Sequence, residues 1–436
     1  MAVYVATSRT GLRQYVIVTG ESSSPGHGTA RMPHTRLLHN CDFRHEQAAS
    51  CITMVRRVGT GRQQIDATRG LHAAVALFEF STRKPPLAAI CLPHVIRSIR
   101  HYQLMRRVAS RAWPQELNNL NLDLEEQRQS ERVFRDTYRM KPEHFQEILE
   151  ALEVPSVLRY PNRGGRFTGT TGLLVLLARL GSAGTLAGLG RKLRMNPDRI
   201  SKISITMVRW LRQRWSATLA CGLDISRLLE YVDAIQARTG VDLPVFGFID
   251  VTLRGCRRVK YGQAAIYSGH KKKHGMKYQI VAVPDGLICC LAGPVQGRRG
   301  DSRILEESEL EEYVLGIQRR TGIKYLIYAD AAYAETETVA TGYNKVQRRM
   351  DAAKDEYSRA MNGPRTSVEW AFGLVQQLFP WVDDVAANNV SVTPVGLFYQ
   401  AAVLLTNCIT CAQGQASVFY SYFELPPPSL ASYLSA

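Results

Sequence analysis

Four carboxylates stand where the sequence predicts strands or helices to end or begin. Asp250 closes the apolar run Pro244–Val251, and Asp330 follows the run Lys324–Tyr328. Asp301 comes after the loop Gly297-Arg-Arg-Gly300 and before a helical stretch. Glu369 lies in the amphipathic segment Val368–Val375, with Phe372 at i+3 and Gly373 at i+4. Ligand groups in open α/β sheets collect at the C-terminal ends of strands. Carboxylates contributed by separate elements suit a hard cation, Mg²⁺ or Mn²⁺, which takes oxygen ligands and keeps water and phosphate in its shell. Two such ions, ~3.5–4 Å apart, activate water and stabilise the leaving oxygen in phosphodiester cleavage. Lys271, Lys272, Lys273, Arg298 and Arg299 are placed in sequence to offset the charge of a nucleic-acid strand beside such a cluster. Taken singly, each acid also has a plainer reading. Asp301 serves as a helix cap, Asp250 as a turn residue, Asp330 as a strand-end cap and Glu369 as an exposed helix residue.

The elements that must position these acids fall into two stretches. Residues 114–240 read as helices: Glu131–Met140, then Pro142–Leu152 with Pro142 near its start, and Gly172–Leu180 after a Pro/Gly/Arg loop. Thr185 caps Leu186–Leu193, and Asn196-Pro197 opens Asp198–Leu211. Two short helices on a tight link suggest a helix-turn-helix-like domain, with Arg199 and Lys202 projecting from the start of the second helix. The alternative is a plain helical core built on Ile200, Ile203, Ile205 and Val208. A last helix, Leu223–Arg238, leads into residues 241–415. There the period changes to strands, with Lys277–Val283 and Leu287–Ala292 flanking the turn Pro284-Asp285-Gly286. Helix follows from Ser302 to about Arg320, then a strand, then long helices over Arg365–Leu378 and Pro394–Thr410. The order predicts an α/β layered domain. In residues 416–436, a Pro-containing tail (Leu425-Pro-Pro-Pro-Ser429) is expected to end compact structure.

The chain has 436 residues, 45% hydrophobic and 21% charged, with a formal charge of +17. That length suggests two or three domains, and the apolar fraction argues against whole-chain disorder. The excess charge points to a polyanion, nucleic acid before membrane. It is unevenly spread: residues 1–113 hold 16 Lys+Arg against 5 Asp+Glu. This Arg-rich quarter shows no sustained period. It reads as a poorly ordered or foreign extension, ahead of a basic nucleic-acid arm and of a transit peptide. No run reaches the length of a membrane span. The nine irregularly spaced Cys do not make a disulfide scaffold, and Cys408 and Cys411 read as buried thiols on one helix.

Four motifs add a resemblance. Phe248-Ile-Asp-Val-Thr252 resembles the first catalytic motif of PIF/Harbinger-type transposases, the DDE superfamily endonucleases. Tyr267-Ser-Gly-His-Lys-Lys-Lys-His-Gly-Met-Lys-Tyr-Gln279 is similar to a conserved block of that family. Leu291 to Asp301 resembles its second catalytic motif, and Arg365-Thr-Ser-Val-Glu369-Trp-Ala-Phe-Gly373 its third. The resemblance covers about residues 243–410, with residues 131–240 similar to the family's preceding helical region. It implies an α/β, RNase H-like fold with a mixed sheet, and Asp250, Asp301 and Glu369 as ligands of two Mg²⁺ or Mn²⁺ ions. Asp330 aligns with a frequent Asp and is a secondary candidate. The implied activity is cleavage and joining of DNA phosphodiesters in the nucleus, with a Myb-like partner protein for end recognition and an oligomer possible. One departure is Val251, which stands where the family usually has Gly; it either crowds the metal site or faces the other side of the strand. That departure and the odd N-terminus favour an alternative, a domesticated and catalytically silent protein that binds DNA or a partner. A third reading is a helix-turn-helix repressor with an unrelated α/β domain.

Overall fold

A computed structural model describes residues 2–7, 13–18, 131–160 and 165–435. The chain divides into two compact units, Met1–Gln115 and Glu116–Ala436. In the first, strands β1 (Ala2–Thr7) and β2 (Arg13–Val18) pair as an antiparallel hairpin. The expectation for the rest of residues 1–113 lies outside the described residues.

The second unit begins with α1 (Glu131–Tyr138) and α2 (Pro142–Ala151), then the hairpin of β3 (Val157–Arg159) and β4 (Arg166–Thr168). Three helices follow: α3 (Gly169–Leu180), α4 (Leu186–Lys192) and α5 (Pro197–Arg214). The start signals act as the sequence predicts. The Thr185 side chain accepts from Gly188 N at 3.1 Å, and Asn196 Oδ1 accepts from Asp198 N at 2.8 Å. Ile200, Ile203 and Val208 are buried, so the inner face of α5 belongs to the core whatever its outer face does. Helices α6 (Ser216–Cys221) and α7 (Leu228–Thr239) lead to the sheet. Leu223, predicted to open the last of these helices, precedes it.

The sheet is built from β5 (Val245–Gly255), β7 (Lys273–Ala282), β8 (Ile288–Gln296), β9 (Leu326–Ala329) and β10 (Val339–Thr341). The short helix α8 (Gln263–Ile266) and strand β6 (Tyr267–Ser268) intervene before β7. β7 pairs antiparallel with both β5 and β8, whereas β9 runs parallel to β5 and β10 parallel to β9. β5 is therefore central, between an antiparallel half and a parallel half. This is a curled mixed sheet with flanking helices, an RNase H-like fold. Parallel neighbours need a crossover. Here it is made by α9 (Asp301–Glu307) and α10 (Leu310–Thr321), which carry the chain from β8 to β9.

Three sequence expectations are corrected in this region. The first strand does not end at Asp250; it continues to Gly255. The helix predicted from Ser302 to Arg320 is broken at Ser308-Glu309, where Glu309 takes a left-handed φ of 57°. Ser308 is instead tied to the sheet, its hydroxyl accepting from Gln279 Nε2 at 3.0 Å. The helix predicted to start at Arg365 begins well before it, and Pro364 does not mark its start. After α11 (Lys345–Met350), Pro364 lies inside α12 (Ala352–Leu378), which Asp351 caps by accepting from Ala353 N. An interior Pro forfeits one helix hydrogen bond; the 27-residue helix is held by its packing, with Pro364, Val368, Ala371, Phe372 and Val375 all buried.

α13 (Val395–Gln413) is the central core helix. It is long and apolar enough to cross a membrane, but 83% of its apolar window is buried within the protein. Cys408 and Cys411 are buried on it as free thiols. Cys221 and Cys290 form a disulfide between α6 and β8. The chain also stays compact beyond the Pro run. After α14 (Val418–Phe423), α15 (Leu430–Ser435) buries Leu430, Tyr433 and Leu434, and Asn407 Nδ2 donates to Tyr433 Oη at 2.9 Å. The apolar spacing of Leu430, Tyr433 and Leu434 was the sequence signal for this helix.

One buried charge joins the helical stretch to the sheet. Asp285, in the β7–β8 turn, is fully buried. Its Oδ2 accepts from Arg227 Nη1 at 2.7 Å and Tyr231 Oη at 2.8 Å, and its Oδ1 from Leu287 N at 3.1 Å. Removing one partner of such a pair strands the other charge. Asp285→Ala is expected to lower unfolding stability by about 3–5 kcal/mol in denaturant titration; a loss under about 1 kcal/mol would mean the pair does not tie the two regions together.

Candidate active site

The sheet register decides which acids can meet. Directly paired residues on neighbouring strands share a face, and the face alternates along each strand. Asp250 pairs with Ile280 on β7. On that face Phe248 meets Tyr328 edge-on at 6.3 Å, and Tyr328 meets Tyr357 of α12 at 6.3 Å. Further along, Arg254 lies over Phe372 at 5.7 Å. The Asp250 face is thus the one covered by α12, the helix that carries Glu369. On the parallel side, Phe248 pairs with Tyr328. Asp330 follows Tyr328 by two residues, just past the end of β9, as Asp250 follows Phe248 along β5.

The electrostatics follow this arrangement. Burial pushes the Asp250 carboxyl above its ordinary value. The Val251 N–H, which donates to Oδ1 at 2.7 Å, and the Arg365 guanidinium act against the shift, while the charges of Asp330 and Glu369 add to it. The two acids whose charges bear on Asp250, in the middle of β5, therefore come from the end of β9 and from α12. Glu369 is solvent-accessible, its side chain 57% exposed, with Arg365 Nη2 3.5 Å away. Asp330 sits in a tight turn: its Oδ1 accepts from Ala332 N at 2.8 Å, and its backbone carbonyl accepts from Tyr333 N at 3.1 Å.

Asp301 is placed differently. Lys277 pairs with Leu253, one pleat out of phase with the Asp250–Ile280 pair, so it leaves the sheet on the opposite face. Its ammonium donates to Asp301 Oδ1 at 2.6 Å and to the Arg299 carbonyl at 2.7 Å. Asp301 is the first residue of α9, and this bond fixes that helix to β7. Ser302 Oγ in turn donates to the Ala332 carbonyl at 3.1 Å, joining α9 to the Asp330 turn. Asp301 thus borders the cluster while Lys277 occupies one of its oxygens. Among the described residues, no three His, Cys, Asp or Glu side chains stand close enough together to hold a metal ion as they are placed.

Val251 lies on the face opposite Asp250, pairs with Gln279 and packs against the core. The branched side chain does not crowd the acids. Lys271, Lys272 and Lys273 are exposed at the turn into β7, and Arg298 and Arg299 are exposed just before α9. Arg299 lies 3.4 Å from Glu307. In the helical region, Lys202 is exposed and paired with Asp198 at 3.1 Å, and Arg199 is half-buried near Tyr160.

Sequence reasoning did not single out Lys277, Arg365 or Tyr333, although the first two lie in the motifs that carry the resemblance. The signal for Lys277 was its odd position on a strand whose other face holds the partner of Asp250.

Residues 249–407 match the family model of the DDE superfamily endonuclease. The match starts beside Asp250 and ends within α13, so it includes Asp250, Asp301, Asp330 and Glu369. No curated protein and no solved structure matches the chain. The matched segment supports a transposase-type nuclease, a class that acts on DNA and generally uses divalent metals.

The raised Asp250 carboxyl has a measurable consequence. Its charge is disfavoured in the folded state, so in EDTA at neutral pH Asp250→Asn is expected to raise the thermal midpoint by a few degrees. The gain should vanish below the ordinary carboxylate pKa of ~3.9, where the native side chain is protonated in both states. A lower midpoint at neutral pH would show that the charge is stabilised where it sits.

Proposed function

We propose that the protein is a divalent-metal-dependent DNA endonuclease of the transposase type, with Asp250, Asp330 and Glu369 as the acids that hold the ions. The observation that carries this reading is the influence of Asp330 and Glu369 on Asp250, from three separate elements around the central strand. The donor chemistry fits the group, since carboxylate oxygens suit Mg²⁺ or Mn²⁺, and the three acids would draw closer than they stand to hold one. When bound, two such ions would supply a Lewis acid for the phosphodiester and lower the pKa of attacking water.

The residues of the chain do the rest. The Val251 N–H and the Asp330 turn fix one oxygen of each Asp. Arg365 stands by Glu369 and offsets part of the acidic charge. Lys277 holds Asp301 and keeps α9 against β7, a positioning role in place of the ligand role that the sequence resemblance implied. Lys271, Lys272, Lys273, Arg298 and Arg299 offer phosphate contacts, and Arg199 and Lys202 offer groove contacts from α5. The PIF/Harbinger subtype, work in the nucleus beside a Myb-like end-recognition partner, and an oligomeric state belong to the same proposal. The placement of Val251 removes the sequence observation within the sheet that favoured a silent, domesticated protein.

The test is nicking of supercoiled plasmid with Mn²⁺. Asp250→Ala, Asp330→Ala and Glu369→Ala should each reduce nicking by more than about a hundredfold, beyond the 10–100-fold typical of groups that only support ligands. Asp301→Ala should still bind Mn²⁺ in calorimetry. Cleavage that persists in EDTA, or an Asp330→Ala variant that nicks normally, would defeat the assignment.

A further inference from the structure

Tyr333 has an environment that its packing alone does not explain. It is 5% exposed, and its hydroxyl has no hydrogen-bond partner. A buried donor without a partner costs about 1–3 kcal/mol, and a Phe would fill the same space without that cost. The residue follows Asp330 by three positions, and its backbone N–H closes the Asp330 turn. That turn is bound to α9 through Ser302 and the Ala332 carbonyl. The ring is therefore held from its own backbone and from the crossover helix. The leading charges acting on its phenol, after burial itself, are the carboxylates of Asp301, Asp250 and Asp330. An unused, buried O–H thus lies within the field of three carboxylates.

This inference rests on the carboxylate reading above. We propose that Tyr333 is a positioning residue of the site, whose hydroxyl donates to the Asp250 or Asp330 carboxylate when a divalent ion is bound there. Oδ1 of each Asp already accepts a backbone N–H. Each carboxylate then has its remaining lone pairs to share between a cation and one further donor, and Tyr333 is the buried donor at hand. Carboxylate ligands are themselves usually hydrogen-bonded, and losing such support typically weakens metal affinity by about 10–100-fold.

The test compares Mn²⁺ binding to the full chain by calorimetry with the thermal midpoint in EDTA. Tyr333→Phe should keep or raise the metal-free midpoint, because it removes an unpaired polar atom. It should weaken Mn²⁺ binding at least about tenfold. Wild-type Mn²⁺ affinity in Tyr333→Phe would overturn the inference. A Phe variant that melts early or fails to fold would also overturn it, since the hydroxyl would then have a partner without metal. Asp330→Ala separates the two levels. If that variant also binds Mn²⁺ as the wild type does, the carboxylate reading has failed; if it loses binding while Tyr333→Phe keeps it, only the role of Tyr333 has.

Discussion

Acidic side chains repel, and the unit from 116 to 436 is arranged so that three of them must stay within one another's field. Asp250 cannot relax away, because it lies mid-strand with neighbours hydrogen-bonded on both sides. Asp330 is locked by its own turn, and Glu369 rides on a helix whose inner face is committed to the core. The cost of assembling like charges is met by packing far from them, as is usual where a fold keeps strain at a working site. Arg365 relieves part of it locally.

The supporting contacts follow the same logic. Asp285, with Arg227 and Tyr231, ties the helical stretch to the β7–β8 turn. Lys277 and Asp301 tie the crossover helix to β7, and Ser302 passes that constraint to the Asp330 turn. Each link joins an element bearing an acid, or bordering one, to the sheet. Position is thereby enforced by short polar bonds as well as by the apolar core.

Much of this was legible in the sequence. The helices announced themselves through Thr185 and Asn196-Pro197, and the β7–β8 hairpin through Pro284-Asp285-Gly286. The layered α/β architecture followed from the order of runs, and the mixed sheet from the resemblance. Asp250 and Glu369 were marked correctly as members of separate elements. What was not legible was how Asp301 and Asp330 stand relative to Asp250. Both precede or follow regular structure, and both are flanked by motif residues. The pairing of Phe248 with Tyr328 sets Asp330, two residues on, toward the Asp250 end of the sheet, and the pleat puts Lys277, which holds Asp301, on the face opposite Asp250. Register is a long-range property, so spacing along the chain cannot supply it. The same limit hid the ending of β5. An acid after an apolar run reads as a stop, whereas here the strand continues because β7 pairs with it to Gly255. The true start of α12, ahead of Pro364, was hidden for a related reason: the rule against Pro in a helix is local, and the packing of α12 outweighs it.

The stretch from Gly342 to Asp351, between β10 and α12, bears on how sequences of this kind can diverge. It is largely exposed, and its short helix α11 buries no residue. Asp330 is fixed before this stretch begins and Glu369 after it ends. Residues can be gained or lost here without moving either acid, whereas one residue gained or lost within β5 ahead of Asp250 would turn that acid to the wrong side of the sheet. The number of residues between these two acids is therefore a poor guide to kinship in such chains. Strand phase is the character that descent has to preserve.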